Sequence, residues 1–409
     1  MGTGSSPRWL RAGIASVAIV VAGCTSTPGA PSIAPVTAGS SNQPAATGTA
    51  VAATGTPAAA GVIKIGVPNT FTGPQAEYGE FTMNGVMLAL DEKGDSVAGS
   101  KFEFIKSEDQ CTPEGGANAA NKLIGQVVAA IGPTCSGAVS TAGPILAQAK
   151  IPYLTEAYLP ALTEEQGTDY IFRNIPSDRV LMGALAEEVK KHGHTKIALA
   201  NDTTTFSAGE SAIFAESWKG LGMPDPVAAV TWDYGASDWA GQIEKIRQTG
   251  AEAIVILAYE ADAAGFVKQT RQLALDVPFF GGYAFGQTSF AELVGSAADG
   301  SLFVTNFLRT APEVKGYADK YQTKYGIPAS TTDSSPYASM LVLIDAFTRA
   351  GPTASGEQLR DAIRATNITT PVWPAAFNAK GDLKVATIWI GEMQGGQPVE
   401  VERKTYDAP

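Results

Sequence analysis

The chain has 409 residues, of which 44% are hydrophobic and 17% are charged, and these proportions are typical of a folded globular protein. They argue against wholesale disorder and against an integral membrane protein. Asp and Glu number 40 against 29 Lys and Arg, so the formal net charge is -11 and nucleic-acid binding is not expected. A chain of this length predicts two domains.

The first 23 residues have the pattern of a secretory signal peptide. Arg8 and Arg11 supply a basic start, and the apolar stretch 12–21 is shorter than the ~20 apolar residues that span a bilayer. The junction Val21-Ala22-Gly23-Cys24 is similar to the bacterial lipobox, which implies cleavage before Cys24 and lipid attached to it. A membrane anchor and an ordinary signal peptide with a chance Cys are the alternatives.

Residues 24–61 are predicted to form a flexible, lipid-anchored linker. They are rich in Ala, Thr, Gly, Pro and Ser, with almost no charge and no large side chains that could start a core. Such a linker would let the folded body move above a membrane. The predicted location is extracytoplasmic, with the protein anchored to the cell membrane through Cys24.

From residue 62 onward, short apolar strands alternate with segments of helical spacing. The predicted strands are at residues 62–67, 102–106, 127–131, 151–154, 170–173, 196–200, 227–231, 253–258, 278–280, 302–305, 385–390 and 399–402. The main predicted helices are at 113–124, 138–149, 209–220, 239–249, 261–273, 313–325, 336–349 and 356–365. Alternation of this kind predicts parallel sheets with helices on both faces.

Two such series followed by more helices and late strands predict an α/β fold. We expect two doubly wound parallel-sheet lobes joined by a multi-strand hinge. The N-terminal lobe is predicted to comprise residues 62–174 and 307–372, and the C-terminal lobe residues 175–306 and 373–409. Ligands of open α/β sheets bind beyond the carboxyl ends of the strands, so the predicted site is a cleft between the lobes.

The cysteines indicate a disulfide. With Cys24 assigned to lipid, Cys111 and Cys135 are left as an even pair in an exported chain. A catalytic thiol is the alternative, and it would need a nearby His. The chain has only His192 and His194, in a segment typical of a solvated helix end, so a thiol enzyme is disfavoured.

Most enzyme motifs are absent from the sequence. It has no Walker A loop, no Gly-x-Gly-x-x-Gly after the first strand, no Gly-x-Ser-x-Gly elbow and no His-Glu-x-x-His. Adjacent acidic residues such as Glu108-Asp109 are typical of solvated surfaces. We expect no enzymatic activity, no cofactor and no metal site.

Aromatic and polar residues recur just after the predicted strands. These residues are Tyr78, Ser136, Glu156, Ala157, Tyr158, Phe206, Tyr259, Glu260 and Tyr283. A single aromatic residue at a strand end more often packs in the core. The recurrence of such residues at nearly every strand end predicts a ligand-binding cleft.

After Gly61 the chain resembles the leucine/isoleucine/valine-binding proteins of the type I periplasmic-binding superfamily over nearly its whole length. The segments that carry the resemblance are Thr72-Gly73-Pro74 through Tyr78-Gly79, Asp109-Gln110-Cys111-Thr112-Pro113, Gly132-Pro133-Thr134-Cys135-Ser136 and Phe377-Asn378-Ala379-Lys380-Gly381-Asp382. The resemblance implies the periplasmic-binding-protein-like I fold.

The resemblance also implies a function. The chain is expected to be the extracytoplasmic solute-binding lipoprotein of an ABC importer. It would bind a small hydrophobic carboxylate or amide-type ligand, such as a branched-chain amino acid or related compound, and deliver it to a membrane permease. We expect a monomer. A lipid-anchored receptor that signals to a membrane partner is the alternative.

Individual roles follow from the same resemblance. Ser136 would hold the ligand carboxylate together with backbone amides near Ala157, and Cys111 and Cys135 match the family's disulfide. The aromatic residues assigned to the pocket or its neighbourhood are Tyr78, Phe206, Tyr259 and Tyr337. Phe206 stands where the family often has Tyr.

Two departures from the family pattern concern the ligand. The segment that grips an amino-acid backbone is shortened to Thr155-Glu156-Ala157-Tyr158-Leu159, and Tyr283 stands where an acidic residue would hold the ligand ammonium. A desolvated ammonium without a carboxylate partner is costly. We therefore expect weaker specificity for amino acids unless Glu156 or Glu260 takes that role.

Overall fold

Two β-sheets with helices packed against them organise the protein in the computed structural model, which describes residues 61–73, 75–164 and 169–407. The predicted signal peptide, Cys24, all but the last residue of the predicted linker, and Pro74 lie outside the described residues. Within those ranges, no helix combines the length and the apolar character that crossing a membrane requires.

The first sheet has six strands within the described ranges. They are β1 (Val62–Asn69), β2 (Ser96–Val97), β3 (Ser100–Glu108), β4 (Ala129–Ile131), β5 (Tyr153–Thr155) and β6 (Ile171–Arg173). Their order is β2-β3-β1-β4-β5-β6, and neighbours are parallel except β2 with β3. Every residue of β4, β5 and β6 is buried, as expected for strands covered on both faces.

The second sheet is formed by later strands. In chain order the remaining strands are β7 (Ile197–Asp202), β8 (Ala228–Trp232), β9 (Ala253–Leu257), β10 (Phe279–Gly281), β11 (Leu302–Thr305), β12 (Asn367–Thr369), β13 (Pro374–Ala376), β14 (Val385–Gln394) and β15 (Gln397–Asp407). The order in the second sheet is β15-β14-β11-β10-β9-β7-β8, with β14 and β15 added antiparallel at one edge, and β12 pairs with β13 separately.

Most of the helices lie where the sequence spacing predicts them. They are α1 (Ala76–Lys93), α2 (Pro113–Leu123), α3 (Ser136–Gln148), α4 (Ala161–Glu164), α5 (Asp178–Lys191), α6 (Thr205–Gly220), α7 (Ala240–Thr249), α8 (Glu260–Gln272), α9 (Thr288–Val294), α10 (Pro312–Tyr325), α11 (Thr331–Ala350) and α12 (Gly356–Arg364). Thr112 caps α2 through its side chain, and Ser355 with Gln358 forms the predicted capping box of α12.

Helix α11 begins earlier than predicted. The sequence pattern predicts its start at Pro336. In the structure the helix starts at Thr331, since Ser330 and Asp333 form a capping box that satisfies the first backbone N–H groups. Pro336 then lies inside the helix, still close enough to its start to be tolerated.

Three chain segments cross between the two sheets. One follows β6 and leads to α5, the second follows β11 and leads to α10, and the third joins β13 to β14. Helices α1 and α11 pack together on the side of the first sheet, and α5 and α6 on the side of the second. This is the predicted two-lobe α/β fold, with strands of each sheet inside the residue ranges expected for each lobe. The detailed lobe bounds remain a prediction.

Candidate functional site

Five aromatic residues predicted to line the cleft come together between the lobes. Tyr78 and Tyr158 come from the side of the first sheet, and Phe206, Tyr259 and Tyr283 from the side of the second. The ring centroids of Tyr158 and Tyr283 are 4.9 Å apart, those of Phe206 and Tyr259 5.1 Å, and those of Tyr78 and Tyr259 6.5 Å. All five residues are buried, so the lobes are closed over the rings.

The rings converge because each lies just after a strand or at the start of a helix, on the side of its lobe that faces the cleft. Tyr158 follows β5, Phe206 lies in the first turn of α6, Tyr259 immediately precedes α8, and Tyr283 begins a short 3-10 helix after β10. Asp202, at the end of β7, accepts hydrogen bonds from the Tyr259 backbone N–H and from the side chains of neighbouring residues. This carboxylate therefore ties two of the strand ends together.

Glu260 is a buried acidic group that contacts two residues of the ring cluster. Its carboxylate accepts hydrogen bonds from the hydroxyls of Tyr78 (3.3 Å) and Tyr283 (3.2 Å), which come from opposite lobes. Burial raises the pKa of Glu260 to about 7. Within the described part of the chain, none of its hydrogen-bond or ion-pair partners is a Lys or an Arg.

Ser136 lies at the start of α3, where backbone N–H groups favour an anion. Its side chain is 2% exposed, and its Oγ has no hydrogen-bond partner among the described residues. Its chain neighbours Cys135 and Gly137 line a cavity of about 410 Å³ together with Phe206 and Tyr259. A buried hydroxyl of this kind has hydrogen-bonding capacity left for a bound molecule.

The predicted disulfide is present and borders the same cavity. Cys111 and Cys135 are bonded, with their Cα atoms 5.3 Å apart. The Sγ atom of Cys111 lies 3.8 Å from the Tyr259 hydroxyl of the other lobe. The disulfide therefore fixes the wall of the cleft next to Ser136.

Glu156 is buried in the first lobe beside the cleft. Its Oε1 accepts hydrogen bonds from the hydroxyls of Thr134 (2.6 Å) and Thr82 (3.2 Å), whereas its Oε2 has no partner among the described residues. Burial raises the pKa of Glu156 to about 8. The side chain is therefore largely neutral at pH 7.

Two predicted site residues are placed differently from the others. Tyr337 packs its ring against Tyr317, and its hydroxyl donates to Glu92 (2.7 Å), so its contacts belong to the core of the first lobe. Ala157 packs into a hydrophobic cluster of that lobe, and its N–H already donates to Thr155 Oγ1 (3.1 Å). The structure does not bring either residue into the ring cluster.

Sequence reasoning missed two buried acidic residues beside the rings. Glu210 follows Phe206 by one turn of α6 and lies against Gly282, whose added Cβ would be 2.9 Å from the Glu210 Oε1. Asp178 begins α5, and both of its carboxyl oxygens lack partners among the described residues. Burial raises the pKa of Glu210 well above its ordinary value, with Asp178 adding to the shift. The shared helix face of Phe206 and Glu210 was the available signal.

Asn306 was also missed, although it links the lobes at the hinge. It follows β11, and its Oδ1 accepts a hydrogen bond from the Tyr158 hydroxyl (2.8 Å). Nothing in the sequence pattern distinguishes this residue from an ordinary loop residue. Among the described residues, no group of three or more His, Cys, Asp or Glu side chains could hold a metal ion.

Two α/β lobes that close over a buried, ring-lined cleft define the class of solute-binding proteins, which capture a small molecule by closing on it. The chain belongs to the periplasmic binding protein family, whose sequence profile matches residues 62–397. The members of this family serve as solute-binding components of ABC transporters, and they are not enzymes.

Individual relatives agree with this assignment. A leucine-, isoleucine-, valine-, threonine- and alanine-binding protein of Pseudomonas aeruginosa is 26% identical over 333 residues, which are 80% of this chain and 88% of the relative. The crystal structure of a leucine-binding protein, LivK, from Thermotoga maritima is similar with a TM-score of 0.76 and 25% identity, over 85% of this chain and 99% of that one.

A solute-binding protein of R. palustris in complex with benzoate has the same fold. Its TM-score is 0.78 at 19% identity, over 84% of this chain and 96% of that one. Identity this low supports the similarity of fold alone. The family therefore fixes what kind of protein the chain is, and the ligand has to be argued from its own residues.

Proposed function

We propose that this chain is the substrate-binding lipoprotein of an ABC importer and that it binds a hydrophobic α-amino acid between its lobes. Branched-chain amino acids are the first candidates. The observation that carries the proposal is the Glu260 carboxyl, buried between Tyr78 and Tyr283 without a basic partner in the described residues. An ammonium group of the ligand would supply the missing positive charge.

The position of Glu260 answers the doubt raised by Tyr283. The sequence suggested that a tyrosine in place of an acid would leave a ligand ammonium unpaired. The Glu260 Oε1 lies 3.2 Å from the Tyr283 hydroxyl, so a carboxyl is present next to the tyrosine. This contact supports Glu260, rather than Glu156, as the group that holds the ammonium.

The carboxylate end of the ligand is assigned to Ser136. Its unpartnered hydroxyl and the N-terminus of α3 together favour an anion. The Ala157 backbone N–H is already bonded to Thr155, so we do not assign it to the ligand. The aromatic rings would surround an apolar side chain, and burying a Leu or Ile side chain contributes ~1.5–3 kcal/mol.

Ligand binding would stabilise the closed form. A molecule that contacts Ser136 on one lobe and Glu260 on the other binds the closed state better than the open state. The closed lobes would then be the form that a membrane permease recognises. The family does not favour the alternative of a signalling receptor, since its members serve as solute-binding components of ABC transporters.

The lipid anchor at Cys24 and the monomeric state belong to the same proposal. The lipobox-like junction and the apolar stretch before it support cleavage and lipidation at Cys24. Replacing Cys24 by Ser should move the protein from the membrane fraction to the soluble fraction and leave ligand binding intact. A Cys24→Ser protein that stays with membranes would contradict the lipid anchor.

A ligand panel tests the proposed function. Thermal unfolding of the purified protein would be followed with leucine, isoleucine, valine, benzoate and short aliphatic amides, and hits would be confirmed by calorimetry. We expect the three amino acids to raise the melting temperature more than the other compounds. The Tyr337→Phe variant is a control, because Tyr337 lies outside the ring cluster. Stabilisation by benzoate alone would contradict an amino-acid ligand.

A further inference from the structure

A chain of hydrogen bonds in the first lobe leads to Glu156, and the donor and the acceptor of each bond in it can be assigned. The Thr70 N–H donates to Asn69 Oδ1 (2.8 Å), so Nδ2 is the donor end of the Asn69 amide. That Nδ2 contacts the hydroxyl oxygens of Thr82 (2.8 Å) and Thr134 (3.3 Å). Because both hydroxyls accept from Asn69, the hydrogen of each is available to another acceptor.

Both threonine hydroxyls donate to the same oxygen of Glu156. Its Oε1 lies 2.6 Å from the Thr134 hydroxyl and 3.2 Å from the Thr82 hydroxyl, so Oε1 acts as an acceptor. The Oε2 atom is buried and has no partner among the described residues. An ionised carboxylate would leave a charged oxygen there without a donor, which is costlier than a neutral carboxyl. The proton of Glu156 therefore belongs on Oε2.

The surroundings of Glu156 favour the neutral acid as well. Its side chain is 4% exposed, and burial is the main cause of its raised pKa. The charged group that acts on it is Asp333 of α11, which raises the pKa of Glu156 further, and Glu156 in turn raises the pKa of Tyr158 in its own loop. Neither Asp333 nor Tyr158 carries a positive charge. No Lys, Arg or His bonds to Glu156 in the described ranges.

Glu156 and Ser136 are linked through a short stretch of chain. Thr134, which donates to Glu156, lies two residues before Ser136 at the N-terminus of α3. Each of the two side chains is more than nine-tenths buried, and each keeps one oxygen without a partner among the described residues. A hydroxyl, a carboxyl O–H and a helix N-terminus all present hydrogen-bond donors, which an anion would accept from.

We propose that Glu156 and Ser136 form an anion subsite in which Glu156, as a neutral acid, donates a hydrogen bond through Oε2 to the ligand carboxylate. The two buried glutamates of the cleft then have opposite roles, since Glu260 holds the ammonium. The inference rests on the proposed function, because it requires a ligand with a carboxylate.

Matched Gln variants of the two glutamates test the inference. Gln retains an acceptor and a donor in the shape of a neutral Glu, so Glu156→Gln should bind leucine within about threefold of the wild type at pH 6.5, whereas Glu156→Ala should lose at least about tenfold. Glu260→Gln should lose at least about tenfold, because a charge is removed. Calorimetry on the purified full-length variants measures all three, with circular dichroism to verify folding.

The pH dependence of leucine affinity is a second test, because a purely structural role of Glu156 would not change it. Ionisation of Glu156 above pH 8 would repel the ligand carboxylate, so wild-type affinity should fall about tenfold relative to Glu156→Gln by pH 9. Parallel profiles for the two proteins would overturn the inference. A loss in Glu156→Gln as large as in Glu156→Ala would do the same, and so would wild-type affinity in Glu156→Ala.

Infrared spectroscopy tests the neutral state of Glu156 without a ligand, and so independently of the proposed function. The ligand-free protein should show protonated-carboxyl carbonyl bands at neutral pH, and the contribution of one carboxyl should be missing from them in Glu156→Gln. Identical bands in the wild type and in Glu156→Gln would overturn the neutral state of Glu156. If that contribution is found but leucine, isoleucine and valine all fail to bind, the proposed function fails. The anion subsite is then tested with acetate and 4-methylpentanoate, which should bind the wild type more tightly than Glu156→Ala. Failure of both compounds to bind, or equal affinity for the two proteins, would overturn the anion subsite.

Discussion

At the scale of single residues, the proposed ligand contacts divide by lobe into hydrogen-bond donors and a carboxylate. Ser136 and Glu156 lie on the side of the first sheet and offer hydrogen-bond donors, whereas Glu260 lies on the side of the second and offers a carboxylate. A zwitterion placed between them would contact both lobes with complementary charge. The buried aromatic rings would exclude water from these contacts and so strengthen them.

Ser136 provides the simplest residue-scale prediction. Ser136→Ala should weaken leucine binding by ~1–3 kcal/mol, because a hydrogen bond to a charged oxygen is lost. Ser140→Ala, one turn further along α3, is the matched control and should leave the affinity within error. Isothermal calorimetry compares the two variants. Equal affinity of Ser136→Ala and the wild type would remove Ser136 from the site.

Ionisation of Glu260 should strengthen leucine binding as the pH rises, whereas ionisation of Glu156 should weaken it. Burial raises the pKa of Glu260 to about 7, and only its ionised form pairs with an ammonium. Leucine affinity should therefore be about tenfold weaker at pH 6 than at pH 7.5. Glu260→Gln should bind weakly at both values. A wild-type affinity that rises on acidification would contradict this role.

The sequence predicted the rings of the site better than its charges. Tyr78, Phe206 and Tyr259 could be found because they follow strands, and ligands of open α/β sheets bind beyond the carboxyl ends of the strands. Asp178 could not, because acidic residues on helices normally face solvent and only tertiary packing buries it, and the only signal for Glu210 was the helix face that it shares with Phe206. The direction of the hydrogen bonds into Glu156 likewise depends on side-chain geometry that no sequence pattern specifies.

At the scale of elements, the lobes depend on close packing of helices. Helices α1 and α11 approach so closely at Gly85 that an added Cβ would lie 2.1 Å from the Asp333 carbonyl oxygen. Asp333 also belongs to the capping box of α11 and accepts from the Tyr317 hydroxyl (2.6 Å). Any larger residue at Gly85 must therefore displace the start of α11.

A pair of Gly→Ala variants tests this packing. Gly85→Ala should lower the free energy of unfolding by ~2–4 kcal/mol, since the clash is with backbone rather than a flexible side chain. Gly183→Ala in α5 is the matched control: nothing lies within 4 Å of its added Cβ, and Ala should stabilise the helix by ~0.5–1 kcal/mol. Urea denaturation measures both. A stable Gly85→Ala would contradict the packing.

Most strands could be predicted from the sequence to within about two residues, and the reason is physical. Buried parallel strands need continuous apolar runs, as in Ala253–Leu257 and Leu302–Thr305. Helix α9 (Thr288–Val294) was missed because it is short and flanked by 3-10 turns. The start of α11 was misplaced because Pro336 gave a stronger local signal than the Ser330–Asp333 box.

At the scale of the whole molecule, several carboxyl groups are buried and have raised pKa values. Burial raises the pKa of Glu156 to about 8 and the pKa values of Asp178, Glu260 and Asp333 to about 7. Carboxylates with lowered pKa, such as Glu357 beside Lys150, lie at the surface, where solvent screening weakens their effect. The buried groups should therefore dominate the pH dependence of stability.

The ligand-free protein should be less stable at pH 8 than at pH 5. Between the ordinary carboxyl pKa and the raised values, the folded protein binds more protons than the unfolded chain, so the free energy of unfolding falls as the pH rises. The expected loss is at least ~1 kcal/mol, and Glu156→Gln should reduce it. Urea denaturation at the two pH values measures it. Greater stability at pH 8 would show that these groups do not control the profile.

The central claim is that the closed cleft holds a hydrophobic zwitterion, and calorimetry with analogues of one ligand tests it most directly. Leucine, leucinamide, which lacks the carboxylate, and 4-methylpentanoate, which lacks the ammonium, share one side chain. We predict that leucine binds at least about 100-fold more tightly than either analogue, because each loses a charge-assisted contact in a buried site. Binding of 4-methylpentanoate or benzoate as tight as that of leucine would contradict the account.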